Sequence, residues 1–226
     1  MRRLTLSFDN GPFPGTTEKV LAVLDRYAAP ASFFLVGERL KSAGGRRTAE
    51  RIKAAGHRIG NHTMTHGTPL GLRTEPDHPE REIGDTEALI GDLAEPARLF
   101  RPNGGGVSGP HLLSPAAIDY LVRHRFTVVT WNSVPRDWEP PPDAWVARAL
   151  ADIRRQAWTL VVLHDRPDTG AMDYLARFLE AVAGEVEWAR EFPDSCLPIV
   201  DGEIRPGLDS IVAGGGGWSR SLDRPM

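Results

Sequence analysis

Hydrophobic and polar positions along this chain change period repeatedly between two and about three and a half. Leu4, Leu6 and Phe8 alternate with Thr5 and Ser7, which predicts a strand that stops at the turn Asp9-Asn10-Gly11-Pro12. From Thr16 to Tyr27, Val20, Val23, Leu24 and Tyr27 share one helical face. Residues 31–36 form a short apolar run that reads as a buried strand. A helix over 46–55 stops at Gly56, and a short strand over 57–60 follows. Pro79 can open a helix whose stripe is Ile83, Ile90 and Leu93. Residues 97–101 then read as a strand. Ser114-Pro115 is a helix start, with Ile118, Leu121 and Val122 as the apolar face. A strand over 126–131, a helix over 143–157, a strand over 158–163 and a helix over 170–183 complete the regular part.

About six strand–helix units of this length predict parallel strands with right-handed crossovers, in an α/β barrel or an open doubly wound sheet. They are too many for two domains, so residues 1–226 are expected to form one domain with a less regular tail from about 187. Within that tail, 197–204 reads as a hairpin turning at Asp201-Gly202, and Gly214 to Gly217 as a linker or loop. The first strand is not followed by Gly-x-Gly-x-x-Gly, and Gly104 to Gly106 lack a following Lys-Ser/Thr, so neither a dinucleotide nor a phosphate-loop site is supported.

Composition narrows the function classes. With 41% hydrophobic residues among 226, a large core can form. A net charge of -3, from 27 Lys+Arg against 30 Asp+Glu, gives no reason to expect a nucleic-acid partner. Cys196 is alone, which excludes a disulfide framework and a thiolate metal cluster. No apolar run reaches membrane-spanning length, and Met1-Arg2-Arg3 leads into a strand without a hydrophobic signal region, so a cytoplasmic protein is expected.

The chemistry-bearing side chains collect at one kind of place. Asp9 and Asn10 follow the first predicted strand, and His62 and His66 the third. Arg101 ends the fourth, Asp137 follows the fifth and His164 ends the sixth. These are all carboxyl ends of strands, which converge on one mouth in a parallel barrel. On a helix, His62-x3-His66 would point two imidazoles the same way. Two imidazoles with an oxygen donor make an open site for zinc or a similar divalent ion, and Asn10 can supply a carbonyl oxygen. Taken singly, each of these residues can also be a cap, a turn residue or a surface ion pair.

Ser7-Phe8-Asp9-Asn10-Gly11-Pro12, His62-Thr63-Met64-Thr65-His66, Phe100-Arg101-Pro102, Asp137-Trp138 and Leu163-His164-Asp165 resemble, in this order, the motifs of the polysaccharide deacetylase family, the NodB-homology domain of carbohydrate esterase family 4. The resemblance runs from about residue 4 to residue 183. It implies a distorted (β/α) barrel of about seven parallel strands and a metal-dependent hydrolase that removes N-acetyl groups from an amino-sugar glycan or glycoconjugate. By the same resemblance Asp9 is the general base and His164 the general acid. Arg101 orients the base and Asp137 orients the acid. His62, His66 and Asn10 hold a divalent metal, zinc or alternatively cobalt, Trp138 and Leu163 wall the substrate pocket, and Gly104 contributes to substrate binding through its backbone N–H, which can serve an oxyanion hole.

Two positions depart from the pattern. The family's second aspartate, an anionic metal ligand, is Asn10 here, as it is in some relatives that act on muramic-acid residues. The tyrosine that usually follows the third motif falls on Gly104. Two alternatives stay open beside the deacetylase: an amide hydrolase of the same fold acting on a formylated lipid-linked amino sugar or a small cyclic amide, and a carbohydrate-binding protein that has lost its metal.

Overall fold

The computed structural model describes residues 1–215. The sheet is built on β1 (Arg2–Asp9), whose side chains alternate between two buried faces rather than between core and solvent. Leu4, Leu6 and Phe8 point outward into the layer between sheet and helices, while Thr5 and Ser7, both buried, lie on the opposite face with Asp9. Around β1 run β2 (Ala31–Leu35), β3 (Arg58–Asn61), β4 (Leu99–Phe100), β5 (Thr127–Val128), β6 (Trp158–His164) and β7 (Val186–Trp188), and every pairing among these seven is parallel. One edge of β1 is taken by β6 along residues 3–9. The other is shared by β7 beside residues 2–4 and β2 beside residues 6–9. The sheet curls until Ser133, just past β5, bridges Val161 of β6. The result is the distorted (β/α) barrel that the motif resemblance implies.

The crossovers are α1 (Thr16–Arg26), α2 (Gly37–Leu40) with α3 (Ala43–Ala54), α4 (Asp85–Ile90), α5 (Pro115–Arg123), α6 (Ala144–Arg155) and α7 (Leu175–Val182). Helix α3 starts three residues before the expected 46, because Ser42 caps it by accepting a hydrogen bond from the Gly45 N–H at 3.0 Å. A Cβ on Gly45 would lie 1.9 Å from the Arg39 carbonyl oxygen, so that first turn needs glycine where composition alone discourages a helix. Helix α4 is preceded by one wide π turn, Glu80–Gly84. Strands β4 and β5 are shorter than expected, two residues each, although backbone hydrogen bonds from Arg101 to Asn61 and from Val129 to Phe100 continue past them.

The chain from 187 onward contributes more to the sheet than its pattern suggested. Residue 187 lies in β7, and β8 (Ile199–Val200) and β9 (Glu203–Ile204) form the hairpin at Asp201-Gly202, with β8 antiparallel to β5. Both turn residues have positive φ, 51° and 80°, as a two-residue hairpin turn requires. Of the expected linker, Gly216 and Gly217 lie outside the described residues. Within the barrel, Phe34, Leu99, Val129, Leu160 and Phe192 pack around Cys196, which is a small buried core residue here.

Candidate active site

Strand register places the site. Asp9 and His164 are direct partners on neighbouring parallel strands, so their side chains share a face. Asn61 pairs with Phe100, and one residue further along each strand come His62 and Arg101. The inward face of β1 then acquires its purpose. Arg101 is fully buried inside the barrel and donates from Nη1 to Ser7 Oγ at 2.8 Å and to Asp9 Oδ1 at 2.7 Å. Its Nε and Nη2 donate to the carbonyls of Val129 and Thr130, and its guanidinium lies 4.0 Å from the Phe34 ring centroid. A charge without water is tolerable only when its donors are satisfied and its counter-ion is close. Both conditions hold. Burial pushes the Asp9 carboxyl upward, but Arg101, followed by His62 and His164, outweighs it and leaves the pKa below the ordinary 3.8.

A second pair faces the first. Asp137, buried in the loop after β5, accepts from the His164 backbone N–H at 2.8 Å through Oδ2, and its Oδ1 lies 2.7 Å from His164 Nδ1. Burial lowers the imidazole pKa, and the charge and hydrogen bond of Asp137 more than reverse that, so the net shift is upward. Asp9 and His164 are therefore shifted in opposite directions, the carboxyl toward its charged form and the imidazole toward its protonated form.

His62 and His66 do meet, with ring centroids 4.9 Å apart, but no helix brings them together. They sit on a tight loop after β3 in which Thr63 and His66 both have positive φ, 68° and 51°. This corrects the helical reading of the spacing; left-handed backbone turns the second ring back toward the first. A carbonyl can only accept, so the 2.8 Å contact of His62 Nδ1 with the Arg101 carbonyl puts the proton on Nδ1 and leaves a lone pair on Nε2. That lone pair lies 3.6 Å from Asp9 Oδ2, another acceptor. Burial lowers the pKa of His62 and, with His62 beside it, brings His66 down to about 4, so both rings are neutral near pH 7.

Asn10 lines the same cleft with φ 76°, a left-handed conformation that short Asn and Asp side chains tolerate. Its Oδ1 is buried without a hydrogen-bond partner. Among the described residues no cluster of three His, Cys, Asp or Glu side chains is arranged to hold a metal. The donor set available is two neutral imidazoles and one amide oxygen. An orphaned buried oxygen and an imidazole lone pair facing a carboxylate are both relieved by a cation, so these residues fit a divalent metal with one anionic donor fewer than an aspartate at position 10 would give.

Trp138 and Gly104 line the cleft, together with Trp131, Val134, Gly105, Gly106 and Arg166. Trp138 stands edge-on to His164, with ring centroids 5.1 Å apart. Gly106, at φ 75°, approaches so closely that a Cβ would lie 2.9 Å from the Trp138 ring. Leu163 is not in this wall. It is fully buried among the outward residues that pack against the helices, and Val162, one position earlier, lines the cleft. The pleat decides this. Val162 and His164 share the inward face of β6, and Leu163 must take the other. Trp131 was not singled out from the sequence because it closes an apolar strand and reads as core.

The sequence model of the family described as polysaccharide deacetylase matches residues 1–126. The chitooligosaccharide deacetylase of Rhizobium leguminosarum bv. phaseoli is 34% identical over 168 residues, covering 72% of this chain and 67% of that protein. The peptidoglycan-N-acetylglucosamine deacetylase of Bacillus cereus is 28% identical over 162 residues, covering 72% of each chain. Among solved structures, a family 4 acetyl xylan esterase from Clostridium thermocellum, in complex with a cobalt ion, superposes with a TM-score of 0.69 at 25% identity, covering 83% of this chain and 87% of that one.

Proposed function

The chain belongs to the polysaccharide deacetylase family, and we propose that it is a metal-dependent hydrolase that removes N-acetyl groups from an amino-sugar-containing carbohydrate. The observation that carries this reading is the pairing of two opposite proton carriers across one cleft: Asp9 bound to the Arg101 guanidinium, which favours its charged form, and His164 bound to the Asp137 carboxylate, which favours its protonated form. Amide hydrolysis needs a base for the attacking water and an acid for the departing amine. Asp9 Oδ2, which is not the oxygen bound by Arg101, accepts the water's proton. His164 has its Nδ1 held by Asp137, so Nε2 delivers the proton to the leaving nitrogen. Trp138, Val162 and Trp131 line the space for a small acyl group and exclude water from it. Gly104, in the same wall, supports a backbone N–H as a donor to the developing oxyanion.

His62, His66 and Asn10 would hold the divalent cation, zinc in our reading. Such a cation polarises the amide carbonyl and lowers the pKa of bound water. The relatives named for N-acetylated glycans support a carbohydrate substrate, and no helix among the described residues is long and apolar enough to cross a membrane.

A second reading, a carbohydrate-binding protein without catalysis, draws on the neutral Asn10 and the missing third charged-type ligand. Against it stand Arg101 and Asp137, both buried and each paired to a titratable group of the cleft, an acid–base arrangement for which carbohydrate binding alone has no need. Purified protein with added zinc or cobalt is expected to release acetate, rather than formate, from a panel of N-acetylated oligosaccharides. Asp9→Asn should abolish that release. No acetate from the whole panel, with no zinc bound in calorimetry, would overturn the enzyme reading in favour of the second.

A further inference from the structure

The loop carrying His62 and His66 has an unfavourable backbone. A β-branched threonine rarely adopts the left-handed region, yet Thr63 does so at φ 68°, and His66 follows at φ 51°. Such a shape persists only when its surroundings over-determine it. The segment between the two histidines is fastened by one side chain from elsewhere. The backbone N–H groups of Met64 and Thr65 both donate to Glu82 Oε2 at 3.0 Å, and the Thr65 hydroxyl donates to Glu82 Oε1 at 2.9 Å.

Glu82 is buried within the wide π turn that precedes α4. Its own carbonyl accepts from Thr86 Oγ1 at 2.9 Å, which fixes the turn. From the strand side, Asn61 completes the clamp. Its amide donates to the Ile83 carbonyl at 2.9 Å, and its Oδ1 accepts from the Thr63 N–H at 3.0 Å. A π turn, which is rare, is thereby joined at two adjacent residues to a strained loop whose tips are the two imidazoles.

We propose that Glu82 is the positioning residue of the two-histidine loop: its carboxylate gathers the donors between His62 and His66 and so sets the spacing at which the two rings bind a divalent cation. The inference rests on reading those histidines as metal ligands. Glu82 makes no hydrogen bond to either imidazole, so its action on the metal passes through the backbone it holds. Partners that orient metal ligands in this indirect way typically account for about 10–100-fold in metal affinity.

The test uses the full chain and zinc. Glu82→Ala is expected to weaken zinc binding in calorimetry at least about 10-fold. In the metal-free protein it should also speed hydrogen exchange at the Met64 and Thr65 amides while leaving the β1 and β6 amides unchanged. Glu82→Gln keeps an acceptor for the two N–H groups and an amide for the Thr65 hydroxyl, and it is expected to restore zinc affinity to within about threefold of wild type. Faster exchange at Met64 and Thr65 with unchanged zinc affinity would make Glu82 a structural residue only and overturn the proposal. So would unchanged exchange. A wild-type protein that binds no zinc would instead overturn the metal reading itself, and the proposal with it.

Discussion

Asp165 offers a quantitative test of how the site is packed. It follows His164 but turns away from the cleft and lies fully buried beneath the Gly11-Pro12 turn. A Cβ on Gly11 would come within 2.6 Å of its Oδ2, which also accepts from the Thr17 hydroxyl, while its Oδ1 has no partner. Burial raises its pKa from 3.8 to about 6, against the opposing hydrogen bond from Thr17 and the more distant charges of His164 and Arg39. The folded protein therefore holds this proton more tightly than the unfolded chain. Its contribution is neutral below the unfolded value, and stability falls as pH rises through the window from 3.8 to about 6. Linkage with these two values gives a loss of about 1 kcal/mol at about pH 4.5 and about 3 kcal/mol at about pH 7.5.

Asp165→Asn removes the titration. The new amide brings its own cost, because its N–H₂ inherits the orphan position, but that cost does not vary with pH. The informative quantity is the difference in unfolding free energy between variant and wild type, measured by urea denaturation across the window. It should move in the variant's favour by about 2 kcal/mol between about pH 4.5 and about pH 7.5. Titrations common to both proteins cancel in this difference. A difference that stays flat within about 0.5 kcal/mol would show that Asp165 does not carry a raised pKa, and the tight packing of the Gly11-Pro12 turn on its carboxyl would lose its energetic meaning.

Two further predictions concern the cleft. Asp137→Asn removes the charge that raises the His164 pKa, so the alkaline limb of the kcat/KM profile should move to lower pH, with kcat down about 10²–10⁴-fold; an unmoved limb would show that His164 is not the acid. Asn10→Asp should tighten zinc binding about 10–100-fold in calorimetry, and an unchanged Kd would show that residue 10 does not reach the metal.

The fold was largely legible because strand and helix periods alternate cleanly, and the site because strand ends gather in a parallel barrel. What escaped shares a physical cause. Thr5 and Ser7 look like the solvent face of a half-buried strand, yet both are buried, Ser7 accepting from the Arg101 guanidinium and Thr5 hydrogen-bonded to Glu191 and Trp158, and nothing local in a sequence marks a barrel interior as polar. Leu163 and Val162 are interchangeable by hydropathy, and only the register of β6 against β1 tells which one meets the cleft. Glu82 carries no signal at all, because its partners are two backbone amides and one threonine hydroxyl 17 and 18 residues away. The parallel strand β7 is three residues long with an exposed centre, too short for a period to show.

Asn10 shows how turn chemistry and site chemistry can be one requirement. The chain must leave β1 in a left-handed conformation, φ 76°, to carry its next residues over Asp165, and asparagine and aspartate both tolerate that backbone. The turn alone therefore cannot distinguish a metal ligand from a turn residue. The charges around it can. With both histidines neutral, Asp9 is the anion nearest His62 Nε2, and half of its carboxylate is already committed to Arg101. A divalent cation entering this cleft is opposed by Arg101, and by His164 whenever that ring carries the proton that Asp137 favours. An aspartate at position 10 would offset that opposition, and asparagine does not. Zinc should therefore bind more weakly here than an aspartate at this position would allow. Its affinity then depends all the more on the loop geometry that Glu82 and Asn61 hold.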